Sequence, residues 1–273
     1  MENIQDKFKE MLKEKGIEIP TLTRQEIEQM KADDLNECQG SLPDYDCPIC
    51  KNKGFVMTVR FDDFYKDYMQ YAQECECMHI RKTLANARKS GLGDYLKKRF
   101  DDYIAKEEWQ KNIKNMAMAY VKEDSDSWFI ALGQTGAGKT IICSIIANYL
   151  LFKGKRKVKY ITWTDFISKL KRDMMGDNTS AVSDYLDEIK NVDVLYIDEL
   201  LKKYNETDLK YIIEIINYRY TNNLKTIISS ERLVDELLDI DEASVGRMIE
   251  KAKGYIVNIP KDRSKNYRLK DIG

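Results

Sequence analysis

Net charge is almost absent from this 273-residue chain: 45 lysines and arginines face 46 acidic residues, leaving a formal −1. No global basic excess advertises nucleic acid, so any such contact must come from a local patch. Long apolar runs are missing too. The longest, Thr140 to Phe152, is interrupted by Ser144 and Asn148 and is too short to span a bilayer. The opening residues, MENIQDKFKEMLKEKG, are charged throughout and hold no apolar signal-peptide core. Internal repeats and low-complexity tracts are absent. Together these absences point to a cytoplasmic protein. There, six cysteines stay reduced, and clustering among them suggests a metal before a disulfide. Histidine occurs once, at His79, and can supply at most one ligand. The length suits one large domain, or a medium one with a small companion.

What is present is organised around GQTGAGKT, Gly133 to Thr140, which satisfies the P-loop pattern. Gly133, Gln134, Thr135, Gly136, Ala137 and Gly138 let the backbone curl so that successive N–H groups face phosphate oxygens. Lys139 puts a positive charge on the outer phosphates, and the Thr140 hydroxyl can ligate Mg²⁺. The apolar run Trp128 to Leu132 reads as a strand entering the loop, and Ile141 to Phe152 as a buried helix leaving it. Strand, loop, helix is the arrangement a phosphate site needs. A Gly-rich turn between two core elements is the bland alternative.

In front lies a cysteine cluster. CPIC supplies Cys47 and Cys50, and CEC supplies Cys75 and Cys77. Phe55 to Phe61 and Asp67 to Glu74 can form a hairpin that brings both pairs to one end. Four thiolates in a tetrahedron suit a closed structural Zn²⁺ site, although an iron–sulfur cluster uses the same ligands. His79 or Cys38 can replace Cys77 or Cys75 as a ligand. Such a metal would hold together a small domain that lacks enough core. Before the cluster, two short helices are predicted. One carries Ile4, Phe8, Met11 and Leu12; the second follows a Thr23–Glu26 capping box and carries Ile27 and Met30. Their apolar stripes either cover the small domain or dock a partner protein.

Residues 78–122 read as helical with a break at Ser90-Gly91. Arg81, Lys82, Arg88, Lys89, Lys97, Lys98 and Arg99 make this the most basic stretch, either a solvated face or part of a strand-binding groove. From Trp128 onward strands and helices alternate, which predicts an α/β P-loop fold with a central parallel sheet. Strands are expected at Val158 to Thr162, Val192 to Ile197, Lys225 to Ile228 and Tyr255 to Ile259. Helices are expected at Thr164 to Met175, Glu206 to Tyr220 and Asp241 to Lys251, with a loop and a short helix over 176–190. Asp198-Glu199 closes the third strand as a Walker B pair: Asp198 for Mg²⁺, Glu199 to polarise the attacking water. Ser229-Ser230 stands at the next strand tip, near a terminal phosphate. The boundaries implied are 1–90 for a helical, zinc-ribbon-like domain, 91–124 for a helical linker and 125–273 for the nucleotide domain.

The order of GQTGAGKT, VDVLYIDEL, EIINYRYTNNLKTIISSE, the GR pair at 246–247 and NYRLK resembles the DnaC/DnaI-type replicative helicase loaders, which are AAA+ ATPases. The resemblance covers roughly Gly91 to Lys270, and the cysteine domain resembles the helicase-contacting region of loaders of the DnaI and phage type. It implies ATP/ADP as ligand, a hexameric replicative DNA helicase and single-stranded DNA as partners, and self-assembly with ATP bound. It makes Arg247 an arginine finger that reaches a neighbour's ATP and Arg268 a sensor 2 arginine, and it places Ser229-Ser230 on the sensor 1 strand tip, with Ser229, Ser230 or Glu231 as the sensor. Many members have Ser-Asn at the sensor position, where this chain has Ser230-Glu231. Two other readings compete. An IstB-like transposition helper shares the ATPase core but usually lacks a cysteine domain in front. A P-loop nucleoside or small-molecule kinase shares the lysine and zinc features, but Glu199 beside Asp198 suits water activation.

Overall fold

The computed structural model describes residues 22–89, 92–123, 125–176 and 179–269. The helix predicted over Ile4 to Leu12, the break at Ser90-Gly91 and Lys270 lie outside them. The chain divides into two compact units, Met1–Met78 and His79–Gly273.

In the first unit, α1 (Arg24–Glu37) starts at the expected cap: the Glu26 amide donates to the Thr23 hydroxyl, and the Thr23 amide to the Glu26 carboxylate. Strands β1 (Phe55–Asp62) and β2 (Asp67–Glu74) pair antiparallel, Phe55 opposite Glu74 and Asp62 opposite Asp67. Helix α1 meets this hairpin through Glu28, Ala32 and Asn36. The Asn36 amide acts as a surrogate strand: it donates to the Met57 carbonyl and accepts from the Met57 N–H, 2.9 and 2.8 Å. Gln70 donates to Glu28 at 2.7 Å. Of the two readings of that stripe, cover for the small domain is not what is seen for Ile27 and Met30, because both face solvent. Hydrogen-bonding side chains hold the helix, not its apolar stripe.

Helix α2 (Cys77–Lys89) follows. Continuous helix over 78–122 is not observed. Residues 93–102 contain two single 3₁₀ turns, and α3 (Glu108–Lys122) begins only after them. The reason lies in the next helix: buried Asn148 donates to the carbonyls of Tyr95 (2.8 Å) and Lys98 (3.0 Å) and accepts from the Tyr160 hydroxyl. Those carbonyls are thereby held outside a helical ladder.

Five parallel strands form the sheet: β3 (Phe129–Gly133), then, after α4 (Lys139–Phe152), β4 (Val158–Thr162). Next come α5 (Trp163–Met175), α6 (Thr179–Asn191), β5 (Val194–Asp198), α7 (Glu206–Thr221) and β6 (Lys225–Ser230). The last elements are α8 (Val234–Leu238), α9 (Glu242–Lys251) and β7 (Ile256–Ile259). Their order across the sheet is β4-β5-β6-β3-β7. Strand β6 is thus inserted between the strand that feeds the P-loop and the strand that ends in Asp198. Helix α6 is longer than expected, and α8 was not anticipated. Strands β3, β5 and β6 are buried along their whole length, as a sheet covered by helices on either side requires. Ile130, Leu132, Leu195, Ile197 and Ile228 form a core with Phe166, Ile212, Ile216 and Met248 from the helices. The opposite face carries α4.

One polar group anchors that core. Arg219 is fully buried, and its guanidinium donates to the carbonyls of Ile189, Lys190, Val192 and Lys225 and to the Thr226 hydroxyl. It closes the carboxyl end of α6 onto β6, satisfying carbonyls that a helix end leaves unpaired. No described helix is long and apolar enough to cross a membrane.

Candidate functional site

Two sites emerge, one in each unit. The first is the cysteine cluster. Cys47, Cys50, Cys75 and Cys77 are buried, and their sulfurs all lie within 4.8 Å of one another. Cys47 and Cys75 are 3.8 Å apart, Cys50 and Cys77 3.5 Å. A tetrahedron with Zn–S bonds of about 2.3 Å has sulfur–sulfur edges of about 3.8 Å. The spacing is far too long for disulfides and is compatible with zinc. Gly54, at φ +85, turns the chain so that its N–H donates to the Cys50 sulfur at 3.3 Å. Neither alternative ligand belongs to the group. Cys38 is exposed and its thiol donates to the Asp34 carbonyl, and His79 is outside the four.

The second site is the phosphate loop. Gly133 and Gly136 have φ of +95 and +74. A side chain at Gly133 would collide with the Ile259 carbonyl, and one at Gly136 with the Asn266 side chain. Lys139 is buried, and its ammonium donates to the carbonyls of Gly133 (2.8 Å) and Gln134 (2.7 Å). Burial lowers its pKa, opposed chiefly by the charge of Glu231.

Asp198 is the last residue of β5, one position further into the strand than expected. Its Oδ1 accepts from the hydroxyls of Thr140 (3.1 Å), Tyr196 (2.9 Å) and Ser229. Burial raises its pKa against the pull of those three donors. Glu199 takes a left-handed conformation, φ +55, which swings it out of the strand line. Its amide donates to the Ser229 hydroxyl at 3.2 Å, and its carboxylate pairs with Lys202 at 2.7 Å.

Both serines fall inside β6, not beyond it. Ser229 therefore reaches Asp198, while the Ser230 hydroxyl donates to the Leu200 carbonyl at 2.7 Å. A cavity of about 330 Å³ joins Lys139, Thr140, Glu199, Ser229, Ser230, Glu231 and Arg268. That is the size of a small-molecule site. Its other wall is Asp102, Tyr103 and Ile104, from the stretch that Asn148 holds, and Tyr267. Sequence reasoning missed these, and it missed Tyr196. The tail residues also touch the loop directly: the Tyr267 amide donates to the Gly136 carbonyl (3.1 Å) and the Asp262 amide to Gln134 (2.7 Å). Arg247 stands apart from the cavity, on α9, with its guanidinium 5.9 Å from the Tyr220 ring centroid.

Sheet order, P-loop and strand-end acid together define an AAA+ P-loop fold of the DnaC/DnaI type. The chain belongs to the bacterial DnaA ATPase-domain family, whose model matches residues 97–252. It is 30% identical to the YqaM protein of Bacillus subtilis (strain 168) over 84% of this chain and 87% of that one. It is 36% identical to the replicative helicase loader DnaC of Escherichia coli (strain K12), over 43% of this chain and 47% of that protein. The match thus spans about half of that relative's length. A solved DnaC helicase loader superposes with a TM-score of 0.52 and 21% identity, covering 60% of this chain and 99% of that one. A solved DnaI gives 0.50 and 21%, covering 62% and 92%.

Proposed function

We propose that this chain is an ATP-dependent loader of a hexameric replicative DNA helicase onto single-stranded DNA, and that it hydrolyses ATP. The observation that carries the reading is the single cavity shared by Lys139, Thr140 and Glu199, with Asp198 hydrogen-bonded to Thr140, in a chain related to DnaC loaders.

The residues divide the work by position. Backbone amides of Gly133 to Gly138 and the Lys139 ammonium hold the phosphates of ATP or ADP. For that, Lys139 must leave the two carbonyls it now caps. Thr140 and Asp198 hold Mg²⁺, which when bound screens phosphate charge. The fit is chemical: a buried carboxylate that already gathers three hydroxyls is a hard oxygen site. Glu199 accepts hydrogen bonds from the attacking water and orients it. Ser229, more than Ser230, links the state of that pair to β6. Arg268 faces the cavity as sensor 2, and Arg247, away from its own cavity, suits a finger offered to the neighbouring subunit's ATP. The N-terminal unit, stiffened by Zn²⁺ on Cys47, Cys50, Cys75 and Cys77, grips the helicase.

The test is capture of the cognate hexameric helicase on immobilised full-length chain, with and without ATP. Capture that needs ATP and is lost in Lys139→Ala is expected. No capture under any nucleotide condition refutes the loader reading. Phosphate appearing on a nucleoside instead of free in solution would favour the kinase reading.

A further inference from the structure

Glu231 occupies an unexpected place for an acid. It follows buried Ser230 at the tip of β6, between the phosphate loop and the Asp198-Glu199 pair, and it lines the same cavity as Lys139. Its carboxylate lies 3.8 Å from the Lys202 ammonium, which is 2.7 Å from Glu199. One partly exposed cation therefore serves two acids. No other ion pair is formed by Glu231 among the described residues. Around the cavity, Lys139, Lys202 and Arg268 face four acids, Asp102, Asp198, Glu199 and Glu231, so the positive field that a chain of phosphates wants is cancelled at the end where Glu199 and Glu231 share Lys202.

That end is the tip of β6, where the Arg232 carbonyl accepts from the Gly133 N–H and Glu231 also lines a second cavity with Gln134 and Thr135. A diphosphate would lie on the loop amides and Lys139. The third phosphate of a triphosphate extends toward the tip of β6, where Glu231 stands, and like charges meet. The cation already paired with Glu231, and able to relieve them, is Lys202. Drawing it across to the phosphate takes it from Glu199, whose carboxylate is then unoccupied and can accept from water.

We infer that Glu231 sets the balance between tri- and diphosphate at this site, holding triphosphate affinity down, with Lys202 as the counter-ion it shares with Glu199. The inference rests on the nucleotide reading above. It differs from a structural role, because an exposed ion pair of this kind adds little to stability and would not distinguish two nucleotides.

Calorimetric titration of the full chain with ADP and with a non-hydrolysable ATP analogue, both with magnesium, tests it. A half-exposed carboxylate several ångströms from the terminal phosphate acts through a high effective dielectric, giving about a tenfold effect. Glu231→Gln should tighten the analogue about tenfold and change ADP less than about twofold. Glu231→Asp, which keeps the charge, should keep the wild-type ratio. Lys202→Met should weaken the analogue selectively. Equal shifts for both nucleotides in Glu231→Gln, no shift for either, or a Glu231→Asp that behaves like Glu231→Gln overturns the inference and leaves the nucleotide reading standing. A wild-type chain that binds neither nucleotide overturns both.

Discussion

Removing metal from the cysteine cluster should unfold the first unit and leave the second intact. Among the described residues of that unit, the buried apolar side chains are Ala32, Cys47, Cys50, Cys75 and Cys77. Tyr45 and Val56 pack only partly against the cysteines. Such a core is short of what an independent unit needs. A tetrathiolate zinc contributes about 10 kcal/mol or more of apparent folding free energy at neutral pH, comparable to the stability of a whole domain. Loss of the metal therefore changes the sign of the unit's stability instead of trimming it. The assay is hydrogen exchange on the full chain, before and after chelation, with elemental analysis of both samples. About one zinc per chain is expected at the start. After chelation, amides of β1 and β2 should lose protection while those of β3, β5 and β6 keep theirs. Metal-free protein with unchanged protection in the hairpin would refute the reasoning, and so would a purified chain with no bound metal.

Three further outcomes are expected. A carboxyl whose pKa is raised on folding, as burial raises that of Asp198, costs stability progressively as pH rises from its unfolded value to its folded one, and the full cost stands above the folded value. Asp198→Asn should thus stabilise the ligand-free protein at pH 7 by about 1 kcal/mol, or about 2–4 °C in Tm, while weakening magnesium-nucleotide binding. The gain should shrink toward pH 4, and a destabilised variant at neutral pH would contradict the assignment. Arg219→Met leaves four buried carbonyls without their donor and should cost about 3–5 kcal/mol in urea titration, mostly as faster unfolding of the second unit. Arg247→Ala should keep single-chain nucleotide affinity but slow phosphate release about a hundredfold, and mixing with wild-type chains should restore part of it. Unchanged turnover would remove Arg247 from the subunit boundary.

What could be read from the sequence was what spacing alone determines. A P-loop is its own geometry, and so is a pair of cysteine knuckles separated by a hairpin, because the contacts lie within a few residues or across one turn. Strand alternation gave the parallel sheet for the same reason. The parts that stayed hidden depend on distant side chains. Asn148 looked like an interruption in an apolar run, yet it ties down the carbonyls of Tyr95 and Lys98, and Tyr95 is itself part of the cavity wall. Ser229 and Ser230 were indistinguishable on paper. Two more residues of strand put their hydroxyls on opposite errands, since side chains alternate across the pleat. Helix α1 misled because its large apolar residues, Ile27 and Met30, are not the ones that pack, and the Asn36 amide that bonds the hairpin carries no periodic signal. The tail's seat on Gly136 was hidden as well, since it arises from a glycine more than a hundred positions earlier.

That seat gives the chain a built-in reporter. Because the amides of Asp262 and Tyr267 are tied to Gln134 and Gly136, whatever rearranges the curl around the phosphates must tug on the segment that ends near Leu269. A fluorophore attached just past that residue would ride on the strap and register occupancy from outside.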